Sequence, residues 1–244
     1  MTSPPPCERL DWDSDHFGIN VARIMQDSLN ESVMANALSW CHEHSIDCTY
    51  LLVGAADYET AMVAQRHDFR LTDLRITLRA DFDRAHTSAG LEKGVAVRPY
   101  RQEDESILVQ LAGSIHDNTR FAVDPGFSKQ QRIGLYERWM RSMCSGDADA
   151  IFVAIDEGAA VGYITCHKNA SGEGSIELVG VHKASQGKDL GQHLVWAATE
   201  WFKRRGIVRV HVVTQGRNIA AQMIYQHGGF VTTKIELWFH RWRT

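Results

Sequence analysis

Two neighbouring segments toward the C-terminus constrain the fold most. Residues 175–181 read Ser-Ile-Glu-Leu-Val-Gly-Val, a β-branched, apolar run that predicts a strand. Residues 194–202 carry apolar side chains at helical spacing. Between them lies Gln186-Gly187-Lys188-Asp189-Leu190-Gly191. A strand, a glycine-containing loop and a helix start turn free backbone N–H groups toward one point, and the helix dipole adds partial positive charge there. That is a cradle for a pyrophosphate; it is equally the shape of a plain connection between a strand and a helix. Gly187 and Gly191 let the backbone come close, and Lys188 adds a charge. No Gly-Lys-Ser/Thr follows, so the loop is not a P-loop, and the glycine spacing is not the dinucleotide fingerprint.

The second segment follows after a predicted strand at 209–214 and a turn at 215–218. Residues 220–226 read as a short helix ended by Gly228-Gly229, and the run after Phe230 reads as a last strand. Asn218 and Tyr225 lie seven residues apart, two helical turns, which directs both toward one groove. Taken alone, Tyr225 reads equally as a half-buried helix tyrosine.

In this order the two segments resemble the GCN5-related N-acetyltransferase (GNAT) superfamily. Its loop pattern is Gln/Arg-x-x-Gly-x-Gly/Ala. Gln186 and Gly191 match, and Asp189 stands where the middle glycine belongs, unless it serves as a helix cap. The resemblance implies acetyl-CoA or a related acyl-CoA as co-substrate, held by Val179, Gly180, Val181, Gln186, Gly187, Lys188, Asp189, Leu190, Gly191, Asn218 and Tyr225. It implies direct transfer, with Tyr225 protonating the leaving thiolate and backbone N–H groups near Val181 polarising the thioester. Glu177, on the same strand, is the candidate base acting through water; otherwise it is an exposed strand residue. No Cys–His or Ser–His signature calls for a covalent intermediate.

The whole chain is similar to a narrower group, dTDP-fucosamine acetyltransferase-like sugar-nucleotide N-acyltransferases. Leu10-Asp-Trp12 through Phe17-Gly18 resembles their N-terminal segment. Thr119-Arg120-Phe121 through Trp139 resembles their acceptor side. This implies a nucleotide-linked amino sugar as acceptor, met by Arg120, Phe121, Asp124, Tyr136 and Trp139. Another amine acceptor (a peptide N-terminus, a polyamine, an aminoglycoside) and a non-catalytic acyl-CoA-binding module remain the alternatives.

The fold class expected is α/β, a mixed sheet with helices on its faces: a GNAT domain over 94–244 behind a smaller αβ half-domain over 1–90. Residues 85–94 are small and polar, a linker. In the first half, strands are expected at 21–25, 48–53 and 74–78 and helices at 32–44 and 58–65. The ending His67-Asp-Phe69 parallels His227-Gly-Gly-Phe230, which suggests a degenerate copy of the same fold. It has neither a glycine loop nor the Asn/Tyr pair, so no cofactor site is expected there. In the second half, a helix is expected at 107–115, an amphipathic helix at 128–143, a hairpin at 151–166 and a helix at 191–205.

The remaining features set limits. With 44% hydrophobic and 23% charged residues the chain is an ordinary globular one. A net charge of −4 argues against broad nucleic-acid binding. No apolar run is long enough for a membrane span, and the opening Met1-Thr-Ser-Pro is not a signal peptide. Five cysteines without CxxC spacing suit a reducing cytoplasm. None of the twelve histidines forms the i, i+4 helical pair of a zinc site, and no metal is expected. The oligomeric state is open, a homodimer included.

Overall fold

The structure is a computed structural model and describes residues 4–26, 28–82 and 96–243. The linker at 85–94, and with it the boundary near residue 90, lies outside the described residues.

The first half runs β1 (Cys7–Arg9), α1 (Asp11–Phe17), β2 (Val21–Ile24), α2 (Glu31–Glu43), β3 (Cys48–Gly54), α3 (Tyr58–Arg66) and β4 (Arg70–Asp81). The second runs β5 (Ala96–Pro99), α4 (Glu105–Ile115), α5 (Arg120–Val123), α6 (Lys129–Ser142), β6 (Ala150–Asp156), β7 (Ala159–Lys168), β8 (Gly174–Val181), α7 (Leu190–Arg204), β9 (Arg209–Gln215), α8 (Ile219–His227) and β10 (Val231–Trp242). The expected mixed α/β architecture is present. Expected helices and strands fall within a few residues of these bounds, apart from β4, which is much longer than 74–78. β1, α1 and α5 carry too few residues to show a period, and α5 is a single turn.

All ten strands form one sheet in the order β1-β2-β3-β10-β4-β9-β8-β7-β6-β5. Two parallel pairs, β2/β3 and β8/β9, stand within an otherwise antiparallel sheet. Each parallel pair is joined by a helix, as parallel pairs must be. The chain then exchanges strands. β10 does not pair with β9; it lies between β3 and β4. β4 in turn pairs with β9. Each half thus closes its last strand onto the other, and the open edge that either would expose alone is covered.

Directly opposed residues of antiparallel strands share a face, so Leu237, opposite both Val53 and Leu74, ties the faces together. On this face α2 and α3 pack on β1, β2, β3 and β10 around Met34, Leu51, Val53 and Phe239. On the same face α7 and α8 pack on the other half around Leu78, Leu194, Phe202 and Phe230. The opposite face is covered by α1, α4, α5 and α6, with Tyr50, Leu108, Met140 and Tyr163 at the centre of its core.

Candidate active site: an opened strand pair over an uncapped helix

β8 and β9 pair only at Gly174–Val210, Ser175–His211 and Ile176–Val212. Beyond that point β8 continues to Val181 and β9 to Gln215 without pairing. A bulge in β8 marks where they part: Ile164 opposes Val179 and Cys166 opposes Ile176, so β8 carries one residue more than β7. In the bulge, the Leu178 N–H donates to the Thr165 hydroxyl at 2.9 Å. Further on, the His182 N–H donates to the Val161 carbonyl at 2.7 Å. Both bonds point to the β7 side. By strand alternation the N–H groups of Val179 and Val181 point the other way, into the wedge. Glu177 sits at the bulge.

Past β8 the chain turns through Gln186 to Asp189 into α7. The Gln186 amide donates to the Val181 carbonyl at 3.1 Å and ties the loop to the strand end. Gly187 has φ +81°, with open space where a side chain would stand. Asp189, the residue that precedes α7, also has a left-handed backbone, φ 53°, and its side chain makes no capping hydrogen bond. The capping role allowed for it from the sequence is therefore absent, and the first N–H groups of a long helix are left without a side-chain partner. Two other loop residues also make contacts within the fold. Lys188 is paired with Asp156 at 2.6 Å. A Cβ on Gly191 would come within 2.8 Å of Ile224 Cδ1, so its missing side chain admits α8 against α7. Gly180 is likewise a packing glycine, because a Cβ there would fall 1.9 Å from Ile115 Cδ1. Leu190 is buried in the core beneath the loop.

Asn218 caps α8, its side chain accepting from the Ala221 N–H at 3.2 Å. Tyr225 lies on the inner side of α8, 5% exposed, against Phe230 with ring centroids 5.9 Å apart. Burial raises its phenol well above the usual tyrosine range, so it is protonated at neutral pH.

The residues expected on the acceptor side divide into two groups. Arg120, Phe121 and Asp124 meet at the seam between the halves. The Arg120 guanidinium lies 4.2–4.3 Å from the rings of Tyr50, Phe121 and Trp238. Its Nη1 is 3.0 Å from His240 Nε2, and His240 Nδ1 is 2.6 Å from Asp124. Burial lowers His240 to about 4, so the ring is neutral: Nδ1–H donates to Asp124 and Nε2 accepts from Arg120. Burial opposes the charge on Asp124, but hydrogen bonds from His240, the Gly126 N–H and Trp242 hold its carboxyl below the usual range. Arg120 also stands 4.0 Å from Asp13 of α1, whose carboxyl is raised by burial. The Tyr50 hydroxyl approaches Asp13 without reaching hydrogen-bonding geometry.

Tyr136 and Trp139 lie on α6, in the second group, their rings 6.1 Å apart. Tyr136 stacks at 4.2 Å on His116, which burial lowers to about 4 and whose Nε2 meets the Tyr163 hydroxyl at 2.8 Å. His116 opens a pocket of about 330 Å³ that sequence reasoning missed; its other walls include Gly113, Asp117, Ala122, Lys129, Arg132, Ile133 and Lys183. These residues come from the end of α4, from α5, the start of α6 and the segment after β8, with no common motif to announce them. Among the described residues no group of three or more His, Cys, Asp and Glu side chains is placed to hold a metal ion, and no helix is long and apolar enough to cross a membrane.

A parallel strand pair that opens over a helix N-terminus, flanked by a second short helix, defines the GCN5-related N-acetyltransferase fold, and the comparisons agree. Residues 116–230 match the family model described as "Acetyltransferase (GNAT) family". Among solved structures, a GCN5-related N-acetyltransferase from Sphaerobacter thermophilus shares the fold with a TM-score of 0.71 at 13% identity, over 97% of this chain and 76% of that one. A tandem GNAT protein from the clavulanic acid biosynthesis pathway does so with a TM-score of 0.62 at 14% identity, over 91% of this chain and 75% of that one. The chain thus shares the GNAT fold and resembles the GNAT acetyltransferase family over residues 116–230.

Two curated relatives follow the same line. SpsD, a spore coat polysaccharide biosynthesis protein of Bacillus subtilis (strain 168), is 24% identical over 59% of this chain and 50% of its own length. The mycothiol acetyltransferase of Saccharomonospora viridis is 26% identical over 72% of this chain and 59% of its own length. The chain thus spans about half the length of these relatives.

Proposed function

We propose that this chain is an acyl-CoA-dependent N-acyltransferase that transfers an acetyl or related acyl group to the amine of a nucleotide-linked amino sugar. The observation that carries the reading is the wedge between β8 and β9: free N–H groups of Val179 and Val181 on one wall, an uncapped α7 N-terminus at one end, and a buried, protonated Tyr225 on the flanking helix.

The chemistry follows from these groups. The acceptor amine, neutral after losing a proton through water to Glu177, attacks the thioester carbonyl carbon. Negative charge collects on the carbonyl oxygen, where the Val179 and Val181 N–H groups are available to stabilise it. The C–S bond breaks as the amide forms; Tyr225 gives its proton to the departing thiolate and is reprotonated by the proton that the amide nitrogen releases through water. The α7 N-terminus and the Gly187 turn receive the pyrophosphate. The acceptor enters from the opposite face, between the seam at Arg120 and the α4–α6 pocket.

The amino-sugar acceptor is supported by the resemblance of the Trp12–Gly18 and Arg120–Trp139 segments and by the polysaccharide pathway named for the Bacillus relative. A mycothiol-type acceptor is the second reading, favoured by the relatives named mycothiol acetyltransferase. The five free cysteines suit a reducing, cytoplasmic setting.

A turnover panel tests the proposal. Acetyl-CoA is offered with dTDP- and UDP-linked amino sugars, a mycothiol precursor amine, polyamines and an N-terminal peptide, and free CoA is measured. Turnover is expected to be highest with an amino-sugar nucleotide. Preference for the mycothiol precursor would select the second reading, and acetyl-CoA binding without turnover on any amine would overturn the enzymatic one.

A further inference from the structure

The pocket between α4, α6 and the end of β8 has a charge that the wedge chemistry does not use. Its walls carry three cations, Lys129, Arg132 and Lys183, against one carboxylate, Asp117. The chain as a whole is acidic, at −4, so this excess is local. Arg132 is braced by a hydrogen bond from Nη1 to the Ala122 carbonyl at 3.2 Å. Among the described residues Lys129 has no ion-pair partner. Lys183 meets Asp117 at 2.9 Å, but both side chains are about two-thirds exposed, at 70% and 67%. Exposed pairs of this kind contribute little and yield readily to a stronger anion. The lining also includes Ala122, Ile133 and Gly113, apolar surface that can serve as a floor for a flat ring.

Position gives the pocket its meaning. Lys183 follows Val181 by two residues, roughly 7 Å of extended chain, so the basic wall stands at the mouth of the wedge. It is on the side of α4 and α6, across the sheet from α7 and α8.

We propose that this pocket holds the diphosphate of a nucleotide-linked acceptor, with Lys129, Arg132 and Lys183 as its anion contacts and the Ala122–Ile133 floor beneath its base. Asp117 releases Lys183 to the phosphate when the acceptor enters. The proposal rests on the acyltransferase reading for its purpose, but not for its measurement. It also separates the two acceptor classes, since a phosphate-free acceptor gains nothing from these cations.

Calorimetric titration of the full chain with dTDP, UDP and inorganic pyrophosphate tests it directly, with and without saturating CoA. The nucleoside diphosphates are expected to bind, more weakly as salt rises, and to remain bound when CoA is present. The double variant Lys129→Ala/Arg132→Ala removes two exposed or half-exposed side chains, so its folding is checked by an unchanged melting profile. It is expected to weaken dTDP and UDP binding about tenfold or more, as loss of charge-assisted contacts does. In turnover, its KM for a nucleotide-linked amino sugar is expected to rise several-fold more than its KM for the methyl glycoside of the same sugar. Failure of the nucleotides to bind the wild type, displacement of them by CoA, or equal binding by the double variant would overturn the assignment. Absence of turnover with every amine would instead sink the acyltransferase reading, because the titration reads the pocket without catalysis.

Discussion

The two halves of the molecule repeat one plan and differ where chemistry is expected. Each runs strand, helix, strand, helix, strand: β2-α2-β3-α3-β4 in the first and β8-α7-β9-α8-β10 in the second. In both, the second helix starts with a side-chain cap, Asp57 on Thr60 and Asn218 on Ala221. Both end in a left-handed residue, Asp68 at φ 63° and Gly229 at φ 84°. A matching backbone bond follows in each, Phe69 N–H to the Ala64 carbonyl and Phe230 N–H to the Tyr225 carbonyl, both at 3.0 Å. Seven residues after the cap, however, the first half has Ala64 and the second Tyr225. The first helices differ as well. Asn30 caps α2 through the Val33 N–H at 3.0 Å, whereas α7 begins at an uncapped Asp189. β2 ends one residue past its pairing with β3, while β8 runs five residues beyond its pairing with β9. One copy is closed by packing and capping; the other leaves the same positions open. A repeat kept for support needs its polar groups satisfied internally, and a repeat that binds must leave some of them free.

The largest effect expected concerns whether the halves are separable at all. Because β10 completes the first half and β4 the second, a chain ending at Phe230 should lose both together, giving no cooperative thermal transition. The intact chain should unfold in one calorimetric step. Two resolved steps, or a folded N-terminal half in the shortened chain, would show that the exchange is not what joins them.

Next is the contrast between Ala64 and Tyr225. Tyr225→Phe keeps the ring that packs on Phe230 and is expected to cut kcat by about 10²–10⁴-fold, the usual cost of a lost general acid, with acyl-CoA affinity little changed. Near-normal turnover under conditions where the chemical step limits the rate would remove Tyr225 from its role.

A third expectation concerns pH. His116 and His240 are both lowered by burial to about 4, against an ordinary histidine value near 6.5. Between these values the unfolded chain binds protons that the folded chain does not, so stability falls as pH drops from about 6.5 to about 4 and is level above that. The Asp124 carboxyl, held low, loses stability in the same direction. His240→Gln is expected to flatten part of this slope in denaturation curves taken at stepped pH. An unaltered slope would mean that His240 binds protons equally in the folded and unfolded chain.

The smallest effect sharpens the comparison of the first helices. Asn30→Ala should cost about 1 kcal/mol, the usual value of an N-cap. Asp189→Gly should cost nothing through capping and should gain up to about 1 kcal/mol by relieving a left-handed backbone. The same variant should bind acyl-CoA at least as well as wild type, since a carboxylate beside a phosphate is unfavourable. Weaker acyl-CoA binding by Asp189→Gly would show a positive role for the carboxylate.

Much of this was legible beforehand, because the signals are local. Period and turn residues located α2, α3, α7 and α8, and the His67–Phe69 and His227–Phe230 endings disclosed the repeat. The order of loop and Asn/Tyr helix named the family that the fold and the family match then supported. Other roles were not legible. That Gly180 and Gly191 also serve packing was hidden because a sequence does not say what stands opposite a missing Cβ; it is Ile115 in one case and Ile224 in the other. The pairing of Lys188 was hidden because Asp156, its partner, lies a hairpin and a strand away.

What the sequence determined by itself is everything carried within about ten residues: element types, the glycine loop, the Asn218–Tyr225 spacing and the duplicated ending. Only the tertiary structure decided the exchange of β4 and β10, the Arg120–His240–Asp124 network across the seam and the basic pocket at the wedge mouth. Each of these joins residues far apart in the chain, and strand neighbours are chosen by which face and edge a strand can bury. That choice depends on the whole sheet at once, and no local pattern records it.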